Sequence, residues 1–287
     1  MVLWTAAVLA ALAGAGICLG TGAFENYSWL WVLPLSFAGL FLVLVGAAFG
    51  VFYLVCRRVD LDTPQEHDDL TFRRASKPFI DAILGILMTR VTVEGAEKIP
   101  TDGRFLMVCN HLSLLDPLVM LSRLPQHQLS FISKKENRDM PIVGAVMHRS
   151  MCQMIDREND REALKSIIRC IHLLKDDEVN VVVFPEGYTS RDGHLQHFRS
   201  GVFKIALKAE VPIVVCTLQG SEKVLSYGDL CPKNIHFGKP VRLRVAEVLP
   251  YESLQGKTTV QIGQEVFEIM AANLCPANAP LQEENPG

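Results

Sequence analysis

The chain has 287 residues, 49% of them hydrophobic, with a formal net charge of −3 and a mean hydropathy of +0.22. A charge so close to balance argues against a nucleic-acid binder, which needs a basic face. Eight cysteines at 18, 56, 109, 152, 170, 216, 231 and 275 form no Cys-x-x-Cys pair, which argues against a disulfide framework or a zinc site and suits reduced, buried thiols.

The apolar excess lies at the start. Residues 2–24 and 26–56 carry no charge, and Glu25 alone separates them. A hydrocarbon core of ~30 Å needs about 20 apolar residues, so both stretches are long enough to cross. Residues 1–58 therefore read as a transmembrane helical hairpin with a turn near 23–28, where Tyr27, Trp29 and Trp31 cluster as interfacial aromatics do. A signal peptide is disfavoured, because no basic segment precedes the first stretch and a second one follows. Arg57, Arg58, Arg73, Arg74 and Lys77 follow the second span, and the turn has no Lys or Arg. That asymmetry predicts a two-span cell-membrane protein with the C-terminal part on the cytoplasmic face.

Residues 59–90 read as a linker followed by an amphipathic helix over 76–90. Its apolar positions 79, 80, 83, 84, 87 and 88 have helical spacing, and Pro78 suits a first turn. Its face lies either along the bilayer or on the following domain. Residues 91–275 alternate strand and helix signals. Strands are expected at 90–94, 104–109, 129–133, 151–155, 179–184, 212–218, 234–237 and 241–246. Helices are expected at 114–123, 141–149, 158–175, 200–209 and 258–273. The near-continuous apolar runs at 179–184 and 213–218 suit strands buried on both faces. The expected class is α/β, a mixed, partly parallel sheet flanked by helices. The tail 276–287, rich in Pro, Asn and Glu, reads as disordered.

Candidate chemistry begins at Asn110-His111-Leu112-Ser113-Leu114-Leu115-Asp116. An imidazole at a strand end, with an acid on the first turn of the next helix, can take a proton from an alcohol while the acid holds the ring's tautomer. Phe184-Pro185-Glu186-Gly187-Tyr188-Thr189-Ser190-Arg191 follows the strongest strand. Pro185 stops the ladder and Gly187 allows close backbone approach. Cys109 adjoins the imidazole and raises a thiol-nucleophile alternative. Ser190 raises a hydrolase alternative, weakened by the absence of a Gly-x-Ser-x-Gly elbow. His194 and His197 lack the further ligands a metal needs.

The block Asn110-His111-x-Ser113-x-x-Asp116 resembles the first signature of the 1-acyl-glycerol-3-phosphate acyltransferase family, among glycerolipid acyltransferases. Three later stretches match in order: Ile155-Asp156-Arg157, Phe184-Pro185-Glu186-Gly187 and Val211-Pro212-Ile213. Phe198-Arg199-Ser200-Gly201 resembles a Phe-Lys-x-Gly segment, with Ser200 placed to cap a helix, and Lys134-Lys135-Glu136 with Pro141 and Gly144 resembles a Lys-x-Glu…Pro…Gly segment. The resemblance covers about residues 90–250.

It implies a membrane-bound O-acyltransferase that moves a fatty acyl group from acyl-CoA or acyl carrier protein to lysophosphatidic acid, giving phosphatidic acid. His111 and Asp116 would be catalytic. Asn110, Ser113, Lys134, Arg157, Glu186, Gly187, Ser190, Arg191 and Arg199 would bind substrate, with Glu186 lining the cleft. Partners would be membrane lipid, lysophosphatidic acid and the acyl donor, with no metal or redox cofactor. Two plain spans and one domain suggest the bacterial type. The chain departs from the family's Phe-Pro-Glu-Gly-Thr-Arg-Ser: Tyr188 and Thr189 stand where Thr and Arg are expected. A charged phosphate contact is thus missing at 189, which Arg191 is placed to replace. The alternatives are the same chemistry on glycerol-3-phosphate, a lysophospholipid or an amino-lipid, or a non-catalytic membrane-anchored lipid-binding protein.

Overall fold

Every fourth residue along the buried stripe of the first helix, α1 (Val2–Gly20), is small: Ala6, Ala10, Gly14 and Cys18. Such residues let helix backbones approach closely. Gly14 faces Ser36, Leu33 and Phe37 of α2 (Trp29–Cys56). In this computed structural model, which describes residues 1–156, 160–226 and 232–281, the two helices form the expected hairpin. Both are long and apolar enough to cross a membrane, and both leave most of their surface uncovered. At 1.5 Å per residue α1 spans about 28 Å and α2 about 42 Å. The surplus of α2 reaches the rest of the protein. Phe52 stacks on Phe79, ring centroids 4.1 Å apart, and Phe49 meets the same ring edge-on at 5.4 Å.

Phe79 belongs to α3 (Leu70–Ile86), which starts six residues before the helix expected at 76. The Asp69 carboxylate accepts the Phe72 N–H at 2.8 Å and so caps it. Pro78 consequently sits inside the helix rather than in its first turn. The face of α3 rests on protein: Ile80 and Leu84 are buried, and Leu87 just beyond joins the core. Arg73, counted above among membrane-proximal charges, is a structural tie. It pairs with Asp68 and donates to the carbonyls of Leu129 and Ser150.

The domain is built on a seven-stranded sheet. In chain order its elements are β1 (Arg90–Glu94), β2 (Leu106–Cys109), α4 (Asp116–Arg123), β3 (Leu129–Lys134), α5 (Pro141–Arg149), β4 (Gln153–Ile155), α6 (Asp160–Lys175), β5 (Asn180–Val183), α7 (Lys204–Ala209), β6 (Ile213–Gln219), β7 (Pro240–Leu249), the single turn α8 (Tyr251–Leu254) and α9 (Thr259–Asn273). Strand order is β1-β7-β6-β2-β5-β3-β4. Among the described residues, only the β6–β7 pairing of this sheet is antiparallel, so the sheet is mixed and mostly parallel.

The period-two rule sorts the core into two layers. Met107 and Cys109 of β2, Val182 of β5 and Val214, Cys216 and Leu218 of β6 pack with Leu84, Val119 and Met120 on the α3–α4 side. Leu106, Val108, Val181, Val183, Ile213 and Val215 pack with Cys170, Ile205, Val266 and Met270 under α6, α7 and α9.

Three expectations change. Residues 234–237 form no strand; Ile235 makes an isolated bridge to Leu225 after a 3₁₀ turn. The 200–209 helix begins as a 3₁₀ turn over Ser200–Phe203, whose cap position is Arg199; Ser200 caps nothing. Of the tail expected as disordered, residues 276–281 are held to the domain, because the buried Asn278 donates to the Gly193 carbonyl at 2.8 Å and accepts the Leu195 N–H at 3.0 Å, and residues 282–287 lie outside the described residues.

Candidate active site

β2 and β5 are parallel neighbours, so the loops that leave them emerge at the same sheet edge, where α/β folds build sites. The first loop carries His111 and the second carries residues 184–191. They are stitched together: the Ser190 N–H donates to the His111 carbonyl at 2.8 Å, and the Glu186 carboxylate accepts the His111 N–H at 2.8 Å.

Asp116 heads α4 and is fully buried. Its Oδ2 accepts the backbone N–H of Leu112 at 2.7 Å and of Ser113 at 2.8 Å, and meets His111 Nδ1 at 2.8 Å. An oxygen already receiving two N–H groups is an acceptor for the third, so Nδ1 carries the ring proton and Nε2 presents its lone pair. The plane of the ring is set by Phe184, stacked at 4.2 Å, with Phe131 continuing the stack. Opposite Nε2, at 3.0 Å, stands the hydroxyl of Thr189.

Several candidates prove to be scaffolding. Asn110 is buried and spends its amide on both polar groups of one β6 residue: Nδ2 donates to the Leu218 carbonyl at 2.9 Å and Oδ1 accepts its N–H at 2.7 Å. This extends the β2–β6 ladder one residue past Cys109. Ser113 donates to the Leu225 carbonyl at 2.9 Å and is likewise buried. Glu186, expected to line the cleft, is only 1% exposed. Its second oxygen accepts the Gln196 N–H at 3.1 Å. Burial pushes its carboxyl up to about 8, against the pull of the two amide N–H groups. It ties the two loops together from beneath. Ser190 is also buried, with its hydroxyl turned to Asp192 and the His194 carbonyl. That geometry removes the serine-hydrolase alternative. The thiol alternative fails too, since Cys109 is fully buried and desolvation holds its pKa well above the usual thiol range.

Gly187 has φ +79°, a conformation that favours glycine, and a Cβ there would push aside the flexible Arg199 side chain, whose Nε lies 2.8 Å from that position. Arg199 itself is exposed, as are Lys134 at the end of β3 and Arg191. Arg157 lies outside the described residues. Gly144 has a similar reason for being glycine: a Cβ would collide with the Arg138 carbonyl. A cavity of about 470 Å³ lies elsewhere, between the 61–66 linker, α5 and β4, lined by Arg138, His148 and Arg169 among others.

Sequence reasoning missed Phe184 as the ring's platform, Asn278 as the prop of the 193–195 loop and Thr189 as the partner of Nε2. Residue 189 did carry a signal, being a departure from the family block.

A histidine whose one nitrogen is fixed by a buried acid and whose other nitrogen meets a hydroxyl has the arrangement of a general base for hydroxyl groups. Residues 90–219 match the family model described as Acyltransferase. A chloroplastic 1-acyl-sn-glycerol-3-phosphate acyltransferase of Arabidopsis thaliana is 34% identical over 170 residues, 57% of this chain and 47% of that protein. The sheep 1-acyl-sn-glycerol-3-phosphate acyltransferase alpha is 32% identical over 168 residues, 58% of this chain and 56% of that one. The crystal structure of the 1-acyl-sn-glycerophosphate acyltransferase PlsC from Thermotoga maritima superposes with a TM-score of 0.62 at 25% identity, covering 78% of this chain and 86% of that one. The chain spans about half the length of the first two curated relatives it matches. Curated relatives come from plants, an alga, a nematode and mammals, and they lend no support to the bacterial type expected from two plain spans.

Proposed function

We propose that the chain is a membrane-bound O-acyltransferase that moves a fatty acyl group from acyl-CoA or acyl carrier protein to the free hydroxyl of 1-acyl-glycerol-3-phosphate, giving phosphatidic acid. The observation that carries the reading is the fixed tautomer of His111, with its basic Nε2 turned to a hydroxyl position. His111 takes the proton of the acceptor alcohol, and Asp116 stabilises the imidazolium that forms. The oxygen attacks the thioester carbonyl, and the tetrahedral intermediate collapses to ester and thiol. General-base help of this kind is worth roughly 10²–10⁴-fold. The reaction uses side chains and the thioester co-substrate alone, without metal or redox cofactor. Exposed Lys134, Arg191 and Arg199 supply cations for an acceptor phosphate, and the sequence resemblance assigns the same role to Arg157, which lies outside the described residues.

The hairpin fits lipid substrates. The last turns of α2 pack on α3 and α5 through Phe52, Cys56, Phe79 and Ala145, which holds the domain close to the membrane exit of that helix. Arg57 and Arg58 at this exit support a domain on the cytoplasmic face, by the preference of basic residues for that side. One observation favours a second acceptor: position 189 offers a hydroxyl to His111 in place of the arginine of the family block, so a lysophospholipid or amino-lipid fits the same chemistry.

Purified protein in detergent, given palmitoyl-CoA or palmitoyl-carrier protein and a panel of lyso-acceptors, should form phosphatidic acid from 1-acyl-glycerol-3-phosphate, read by mass. Acylation of another acceptor alone would move the assignment to that lipid. No transfer from either donor would end it.

A further inference from the structure

The starts of β1 and β7 lie at the same sheet edge as the site. β7 runs antiparallel to β6 and pairs in parallel with β1, while β6, β2 and β5 run together. Arg90 and Pro240 therefore open their strands where β2 ends, just before His111. The segments entering there, 86–90 and 233–239, are bound to each other. The Gly238 N–H donates to the Leu87 carbonyl at 3.0 Å, and the Arg90 N–H donates to the Lys239 carbonyl at 3.3 Å. They are also bound to the site. The His236 N–H donates to the Val224 carbonyl at 2.7 Å, and Ser113 of the His111 loop donates to the adjoining Leu225 carbonyl.

Large apolar side chains stand in the open here: Ile86 is 48% exposed, Met88 65% and Phe237 58%. Met88 also takes a position that favours glycine. α3 closes with the Thr89 N–H on the Leu84 carbonyl and the Met88 N–H on the Gly85 carbonyl, both at 3.0 Å, a pattern whose left-handed residue is usually glycine. Met88 holds that conformation at φ +52°, which costs strain in a long side chain. Arg90, Lys233 and Lys239 are exposed in the same two segments. Glu94, further along β1, is engaged by Arg242 and Arg244, so it does not offset them. The hairpin sets the level of this cluster. A Cβ on Gly85, next to Ile86, would come within 2.9 Å of Leu3 in the first turn of α1. The exposed Trp4 is an interfacial type of residue at that end of the span. The last turns of α2 meet α3 at Phe79. α3 thus runs past both membrane exits, and the cluster continues from its end.

We infer that Ile86, Met88 and Phe237 insert into the headgroup region of the bilayer, with Arg90, Lys233 and Lys239 on anionic lipid, as a second membrane contact beside the hairpin. The inference rests on the membrane-bound reading. Apolar side chains rimmed by cations match the surface of an anionic leaflet, and the hairpin already brings this surface to that level. A domain held at one helix exit is free to tilt. A second contact fixes the tilt and, through Leu225, seats the His111 loop against the surface where a one-tailed lipid lies.

The test is quenching by brominated lipid. The chain's tryptophans, Trp4, Trp29 and Trp31, all lie in the hairpin. Full-length wild type in phosphatidylcholine–phosphatidylglycerol vesicles should be quenched by lipids brominated high on the acyl chain. With those three tryptophans replaced by phenylalanine, Phe237→Trp and, separately, Met88→Trp each carry a single reporter. Val260→Trp in the same background is the control, since Val260 is exposed at the start of α9, after the far end of β7, at the opposite sheet edge. Phe237→Trp and Met88→Trp should each lose at least half of their emission, and Val260→Trp less than a tenth. The double variant Met88→Glu/Phe237→Glu should transfer acyl groups to detergent-dispersed acceptor within twofold of wild type, and at least tenfold more slowly to acceptor in vesicles. Reporters at 88 and 237 quenched no more than the one at 260, while the wild-type tryptophans are quenched, overturn the inference and leave the hairpin as the anchor. Full transfer by the double variant in vesicles overturns it as well. Wild-type tryptophans that escape quenching would instead sink the membrane-bound reading itself.

Discussion

Replacing Asp116 by Asn separates the charge of this residue from its shape. Oδ2 carries three accepted hydrogen bonds, while Oδ1 is buried without a partner. An asparagine oxygen must take the Oδ2 place, because the opposite rotamer would aim its NH₂ at the N–H groups of Leu112 and Ser113. The NH₂ then occupies the site of an atom already unpartnered, so the fold changes little. The tautomer of His111 also survives, since the amide oxygen still accepts from Nδ1. What disappears is the negative charge beside the imidazolium. At 2.8 Å and an effective dielectric of about 20, two unit charges attract by about 6 kcal/mol, an upper bound. Exchanging a charge-assisted hydrogen bond for a neutral one loses about 1 kcal/mol, a lower bound. A central figure of about 3 kcal/mol is roughly a hundredfold in kcat. Asp116→Ala behaves differently. It strips the acceptor from two buried N–H groups at about 1–3 kcal/mol each, a large share of a stability of about 5–15 kcal/mol. Acyl-transfer rates and melting temperatures of both variants check this. Asn at near-normal rate, or Asn melting as low as Ala, would refute the reasoning.

Two further outcomes follow from the geometry. Glu186, pushed to about 8 by burial from an ordinary 4.5, keeps a proton in the folded protein that the unfolded chain has released between those values. The folded state therefore binds more protons in that window, and its stability falls as pH rises from about 4.5 to about 8, by on the order of 5 kcal/mol at most. Glu186→Gln should flatten this slope in melting temperature against pH, although it orphans one backbone N–H; parallel slopes would remove Glu186 as the cause. Phe79→Ala, which removes the ring stacked on Phe52, should weaken the hold between hairpin and domain by about 2–3 kcal/mol. Trypsin should then cut at Arg57 and Arg58 at least tenfold faster, and an unchanged rate would show that the stack carries no coupling.

A charge at Leu87 would disturb the domain itself, because that partly buried side chain packs against its core. Spacing alone left the face of α3 open between bilayer and domain. Which surface it meets depends on residues far away in sequence, such as Val119 and Leu129 in the same cluster. The same limit applies to the tail. Composition reads residues 276–287 as disordered, and nothing local reveals that Asn278 finds the Gly193 carbonyl.

Local physics settled much by itself. Two uncharged stretches made the hairpin, continuous apolar runs made the buried strands, and a histidine five residues before an acid made a candidate base. These are properties of neighbours along the chain, where periodicity and spacing act directly. Roles within the site were decided in three dimensions. Asn110, Ser113 and Glu186 look polar and available in one dimension, yet each is spent on a backbone group brought to it by another strand or loop. Thr189 reads as the loss of an arginine until β5, lying beside β2, delivers its hydroxyl to the imidazole. A hydrogen bond needs its partner within about 3 Å, and only the pairing of distant strands determines who that partner is.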